Sequence, residues 1–325
     1  MKSIRHPKIF LRLVDLLGAS CVLLGASCAS TGAGLPKRVA RPVLEKRNLS
    51  KETQKGLVEV EQAFLKEDPQ FLALKAKLLQ ADPEAGPWLA KAFITHAVLG
   101  HDVLLGRGFF PEALIHEGKF RGRLERSLFA RARNALVSLG ATGAHSICVY
   151  LLRDTKGPNR LVGRLLLEAF PESVFYREIR REFSEGPSIS KREVLHLLGD
   201  VPPDPRALEI LEKALRSPHW ELRGAALVPL AKQWKKGGFR GGGSRLLRIM
   251  EKDPDPFVQR KAVEALALLG VKGAEPAILR VLERGLQEKN ELMVEAAASA
   301  LSKLTGQHFG AKVDAWKQWL QGRGK

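Results

Sequence analysis

Aromatic residues make up only 6% of the 325 positions, and no stretch alternates apolar and polar residues between hairpin turns. Both absences argue against a core built of sheets, where bulky and β-branched side chains line a pleated face. Cysteine is scarce too: the chain has three, Cys21, Cys28 and Cys148, so no intramolecular disulfide framework is expected. Beyond the leader no apolar run is long enough to span a bilayer. Wording for catalysis is also missing, with no paired carboxylates and no Ser/His/Asp arrangement. His96, His101, Asp102 and His116 lack the spacing of HExxH or of any compact zinc site. No catalytic residue, metal or cofactor is therefore assigned.

What is present is a chain that is 45% hydrophobic, mostly aliphatic and alanine-rich, which suits close packing of helices. Its organising stretch is Lys261 to Leu282, KAVEALALLGVKGAEPAILRVL. The same wording occurs 130 residues earlier as Arg131 to Leu152, RARNALVSLGATGAHSICVYLL. Ala262, Ala265, Leu266 and Leu269 recur at spacings of three and four, so one face of a helix is apolar while Lys261 and Glu264 point elsewhere. Gly270 follows the last apolar residue, where a left-handed cap is tolerated, and Gly140 is expected to do the same in the earlier copy. Pro276 suits the first turn of the next helix, which presents Ala277, Ile278, Val281 and Leu282. One hairpin of this kind leaves apolar surface on both flanks and needs neighbours. Further pairs are read at about 158–185, 189–217, 218–252 and 254–287, with the first at 126–154 and the last at 291–304 plus 313–320.

The first residues belong to another grammar. Lys2, Arg5, Lys8 and Arg12 precede a mostly apolar segment that ends in Gly25-Ala26-Ser27 before Cys28. This pattern resembles a bacterial lipoprotein signal, in which the cysteine is lipidated and begins the mature protein. Leu17-Gly18-Ala19-Ser20-Cys21 offers the same wording one step earlier. The resemblance implies a protein held by a lipid on Cys28 to a cell-envelope membrane and facing the periplasm; a plain cleaved signal implies secretion instead. The chain is accordingly read as a signal at 1–28, a basic flexible linker at 29–57 with net charge +5, a helical cap at 58–125 and a solenoid at 126–325.

The Ala-Leu-x-x-Leu-Gly-x-x-Gly-Ala wording at 135–144 and 265–274 resembles HEAT repeats. The tail Leu304-Thr305-Gly306-Gln307-His308-Phe309-Gly310, with Trp316 and Trp319 after it, is similar to endings of secreted or lipidated bacterial HEAT proteins. The expected fold class is all-α, an α-solenoid of HEAT-like hairpins with a helical cap at its amino-terminal end. HEAT repeats carry no invariant catalytic residue, so the resemblance implies a non-catalytic scaffold.

Charge points to acidic partners. The formal net charge is +18, falling to +15 without the leader, and the densest patch is 232–252. There Lys232, Lys235, Lys236, Arg240, Arg245 and Arg248 are the candidate contacts to an anion or partner. They flank Gly237-Gly238-Phe239-Arg240-Gly241-Gly242-Gly243-Ser244, a glycine-rich loop running into a helix start, where backbone N–H groups could meet an anion. Ser244-Arg245 stands where a Walker A loop needs Lys-Ser/Thr, which excludes that motif. A second basic run comprises Lys119, Arg121, Arg123, Arg126, Arg131 and Arg133. The expected function is a scaffold binding a protein or an anionic polymer at the envelope through a concave face. A nucleic-acid-binding HEAT protein with a basic concave face is the first alternative, and an enzyme such as a HEAT-type lyase the second.

Overall fold

In the computed structural model residues 49–106, 128–155, 157–239 and 241–322 are described. The chain divides into two units, Met1–Ser50 and Lys51–Lys325, and every described helix lies in the second. The expected signal, with Cys21 and Cys28, lies outside the described residues. So does the end of the 58–125 region, from 107 on, together with residues 126 and 127. Among the described residues there is no strand, and no helix is long and apolar enough to cross a membrane.

The first three described helices are α1 (Lys51–Lys66), α2 (Phe71–Ala81) and α3 (Gly86–Gly106), with a 3-10 turn at Pro83–Ala85. Helix α1 begins inside the segment expected to be linker. Its start follows from pattern: Thr53, Val60, Ala63 and Phe64 fall on one face and are buried, while Lys51 and Lys55 are exposed. Phe64, Phe71 and Phe93 then form an aromatic cluster with ring centroids 5.0–5.8 Å apart.

Six hairpins follow. They are α4 (Leu128–Val137) with α5 (Ala141–Ile147, extended by a π-turn at Cys148–Leu152), and α6 (Gly157–Leu167) with α7 (Glu172–Glu185). Next come α8 (Ser188–Asp200) with α9 (Pro205–Leu215), and α10 (Trp220–Lys236) with α11 (Gly242–Lys252). Last are α12 (Pro256–Leu269) with α13 (Glu275–Gln287), and α14 (Glu291–Thr305) with α15 (Val313–Gly322). The fold is thus an all-α solenoid. First helices pack on first helices, α6 on α8, α8 on α10, α10 on α12 and α12 on α14, while second helices form the other layer. The core lies between the layers: Val194, Leu195, Leu198, Ile210 and Leu211, and in a later repeat Val263, Leu266, Ile278 and Leu282, are all buried in one cluster. Trp316 fills the last hairpin, fully buried, with its Nε1–H donated to the Gly310 carbonyl at 2.8 Å and its ring against Phe309.

Aspartate–proline pairs start several helices. Asp204 accepts the Arg206 N–H at 2.7 Å ahead of Pro205, and Asp255 accepts the Phe257 N–H at 2.9 Å ahead of Pro256. Asp82 does the same before Pro83. The two matching copies share their helices but not their turn. Gly270 is left-handed, φ 70 and ψ 41, and caps α12 as expected. Gly140 has φ 55 and ψ −130 and sits at the start of α5 rather than in a left-handed cap. The reason is the proline: Pro276 fixes where α13 begins, whereas Ser146 occupies the matching place, so α5 starts earlier and takes Gly143 into the helix.

Neighbouring repeats are stapled by side chains about one repeat apart. Gln233, buried on α10, donates to the Leu198 carbonyl at 2.7 Å and the Val201 carbonyl at 3.0 Å, and accepts the Asp204 N–H at 3.2 Å. It satisfies the exposed carbonyls at the end of α8 and fixes the α8–α9 turn. Second helices are linked by a ladder of ion pairs: Arg180–Glu209, Arg206–Glu172, Arg245–Glu212, Arg280–Glu251 and Lys317–Glu283, at 2.6–3.1 Å. Solvent screens these exposed pairs, so the ladder sets register more than stability.

Gln233→Leu strands the Leu198 carbonyl and the Asp204 N–H, and is expected to destabilise the protein by about 1–3 kcal/mol in urea unfolding; an unchanged midpoint would show that the α8 end is satisfied without it. Gly224 lies where any Cβ would collide with the Phe257 ring. Gly224→Val should therefore cost about 1–3 kcal/mol in the same assay by forcing α10 and α12 apart, and a neutral result would contradict that close approach.

Candidate functional site

The first helices of four consecutive hairpins line one groove of about 560 Å³. Each contributes residues four apart, which is one face of a helix. Helix α6 gives Arg160 and Arg164; α8 gives Arg192, His196 and Asp200; α10 gives Trp220, Gly224, Val228 and Lys232; α12 gives Phe257, Lys261 and Glu264. The floor is α10, built from small residues at Gly224 and Ala225, with Pro229 beside them. Pro229 sits inside the helix and has no N–H to offer the Ala225 carbonyl, so the floor holds an acceptor without its usual helical donor.

An aromatic pair occupies the α10–α12 side. Trp220, 42% exposed, meets Phe257 edge to face at 5.2 Å. Arg260 lies 5.2 Å and Lys261 5.8 Å from the centre of the Phe257 ring, where a cation is attracted to the ring face. Charges of both signs surround the pair. Lys232 holds Asp200 at 2.7 Å and Lys261 holds Glu264 at 2.7 Å. On the α6–α8 side Glu193 is shared: Arg160 reaches one oxygen at 2.9 Å and Arg164 approaches the other at 3.7 Å. His196, between them on α8, is held below the ordinary histidine value, first by desolvation among its neighbours; Glu193 and Asp200 oppose this, and Arg164 and Lys261 reinforce it. It is accordingly neutral at pH 7 and adds no charge to the groove.

Of the six basic residues singled out in the sequence, Lys232 alone lines this groove. Lys235 donates to the Leu268 carbonyl at 3.0 Å in the next repeat. Lys236 turns the other way and donates to the Gly199, Asp200 and Val201 carbonyls at 2.9–3.2 Å, capping α8 where its dipole is negative. Arg245 pairs with Glu212 in the ladder, and Arg248 is exposed on α11, away from the groove. Arg240 lies outside the described residues. Consecutive helical positions differ by about 100° in direction, so a patch dense in sequence is dispersed in space. At the start of α11, Gly242 and Gly243 are buried against Trp234 and Val271, while Gly241 and Ser244 beside them are exposed, and the Phe239 ring lies 5.5 Å from that of Trp234. Those two glycines serve close packing. In the second basic run Arg131 binds the Phe64 carbonyl at 3.2 Å and Glu67 at 3.1 Å, while residues 119–126 lie outside the described residues.

Two further clusters hold titratable groups. Buried Glu182 takes a two-point bond from Arg153, 2.8 Å on each oxygen, and buried Glu178 lies 3.5 Å from His145. Cys148 sits beside them, and its thiol is pushed well above the usual range, chiefly by burial and then by Glu182 and Glu178, so it is not a poised nucleophile. In the first helices His96 bonds Glu61 at 2.7 Å, and His101 is buried beside Phe129. His116 and the Asp102 side chain lie outside what is described; among the described residues no three His, Cys, Asp or Glu side chains are grouped to hold a metal.

Apart from Lys232, the residues that build the groove were not singled out from sequence as a site, although Arg160/Arg164, Arg192/His196/Asp200, Trp220/Gly224/Val228/Lys232 and Phe257/Lys261 are regular enough to be seen. Each stripe is short, and only the stack brings the four together. Comparison with curated proteins gives no match. The family described as HEAT repeats matches residues 243–313, which span α11 through α14. Over that stretch the chain is similar to HEAT repeats, helical hairpins that in general form protein-interaction scaffolds.

Proposed function

We propose that the protein is a non-catalytic scaffold, tethered at a bacterial cell envelope, that takes a protein partner in the groove of α6, α8, α10 and α12. The observation that carries this is the exposed Trp220 set against Phe257 among arginines, since tryptophan and arginine dominate the energetics of protein interfaces. An anionic polymer or a nucleic acid calls for a surface of one sign. Here Arg160, Arg164, Arg192, Lys232 and Lys261 face Glu193, Asp200, Glu221 and Glu264, a mixture that fits a protein better than a polyphosphate. The general basicity is in good part absorbed by the ion-pair ladder and by helix ends.

The envelope location is supported by the leader wording, with four basic residues before an apolar segment and small residues before Cys28. On this reading a lipid on Cys28 holds the protein to the membrane, and the basic run after it lies near anionic headgroups, each lysine or arginine adding about 1 kcal/mol of attraction.

Cys28→Ser should abolish incorporation of labelled palmitate and move the protein from the membrane to the soluble fraction; continued labelling would assign the lipid to Cys21 or elsewhere. A photo-cross-linking residue at position 220 is expected to give a discrete protein adduct in cells, and one at position 248 is not. Adducts at 248 with none at 220 would place the working surface on the other layer.

A further inference from the structure

The two sides of the groove differ in how their charges are used. On the α10–α12 side Lys232 holds Asp200 and Lys261 holds Glu264 within hydrogen-bond distance, with Arg260 approaching the other Glu264 oxygen at 4.0 Å. On the α6–α8 side Arg160, Arg164 and Arg192 face Glu193 alone. Arg160 takes the closer hold on Glu193, and the Arg164 Nε is buried without a hydrogen-bond partner. Arg192 is exposed and has no ion pair among the described residues. A buried guanidinium donor left unmet costs free energy that a carboxylate from outside would recover, because arginine binds carboxylates through two parallel N–H···O bonds. The same groove holds the accessible indole of Trp220 one helix further on.

From this asymmetry, and resting on the scaffold reading above, we propose that the partner enters as an extended acidic segment. Its carboxylates bind Arg164 and Arg192, and an aromatic or large aliphatic side chain lies on Trp220 and Phe257. Dimensions suit this. Packed helices stand roughly 8–10 Å apart, so the four first helices span roughly 25–30 Å, the length of about eight or nine residues of extended chain. The arginines and the tryptophan are then separated by about three to five residues of such a segment.

The test uses the full-length protein in mild detergent and a fluorescein-labelled decapeptide followed by anisotropy. The peptide carries two glutamates at one end and a phenylalanine four residues on, with serine and glycine elsewhere. Its counterparts replace the glutamates by glutamine, by lysine, or the phenylalanine by serine. Saturable binding is expected for the first, with each replacement weakening it about tenfold or more, as loss of an interface anchor does. Arg192→Glu should weaken it comparably, and since Arg192 is exposed its loss leaves the core untouched; Trp220→Ala should do the same, and Arg248→Glu should have no effect. Unchanged circular dichroism and thermal midpoints confirm that each variant is folded. Equal binding of the glutamine or lysine peptide would overturn the acidic assignment, and equal binding of the serine peptide would overturn the aromatic one. If no peptide binds while position 220 still cross-links a protein in cells, the acidic chemistry fails and the scaffold stands. If position 220 captures nothing either, both fail.

Discussion

The structure depends on first helices lying close enough to cover one another's apolar flanks. A single hairpin has a stripe facing its own partner and two flanks facing nothing, so folding requires that the flanks be shared. The closeness is set by small side chains. Gly224 lets the Phe257 ring lie across α10, and Ala225 and Ala226 are buried between α8 and α12. Gln233 and Lys236 then tie α10 back to the end of α8, so that consecutive repeats are joined by hydrogen bonds as well as by apolar area. The groove follows from this. Its walls are faces of helices already held against each other, and a residue such as Trp220 is presented on a rigid support rather than on a loop.

Charge in this protein has two roles that its sequence does not separate. One set of basic residues is structural: Arg180, Arg206, Arg245, Arg280 and Lys317 pair across consecutive second helices, and Lys235 and Lys236 meet carbonyls at helix ends. The other set, Arg160, Arg164 and Arg192, is concentrated in the groove against a single shared carboxylate. A high net charge suggests an acidic partner in either case, but only the second set has the donors and the setting to hold one. The aromatic pair beside it turns a charged surface into one that can discriminate.

How much of this was legible from sequence depends on the range of the interaction. The hairpins were, because their signals are local: apolar residues at spacings of three and four, Gly270 after α12, Pro276 at the start of α13. Where a local signal was ambiguous the reading failed locally. Gly140 shares its wording with Gly270 but not its conformation, since no proline fixes the start of α5, and Lys51–Leu57 looked like linker because its charges hide the Val60 and Phe64 stripe. The groove was not legible. Its residues come from four helices about thirty positions apart, and the run that was most basic in sequence is dispersed around α10 and α11 instead.

The central claim is that the first helices form one continuous support, and native-state hydrogen–deuterium exchange on the full-length protein tests it most directly. The amides of α8, α10 and α12 should open together, with one shared free energy close to that of global unfolding. Separate opening energies for the 188–215, 220–252 and 256–287 hairpins would contradict it, since a groove whose walls move independently cannot hold a preformed site.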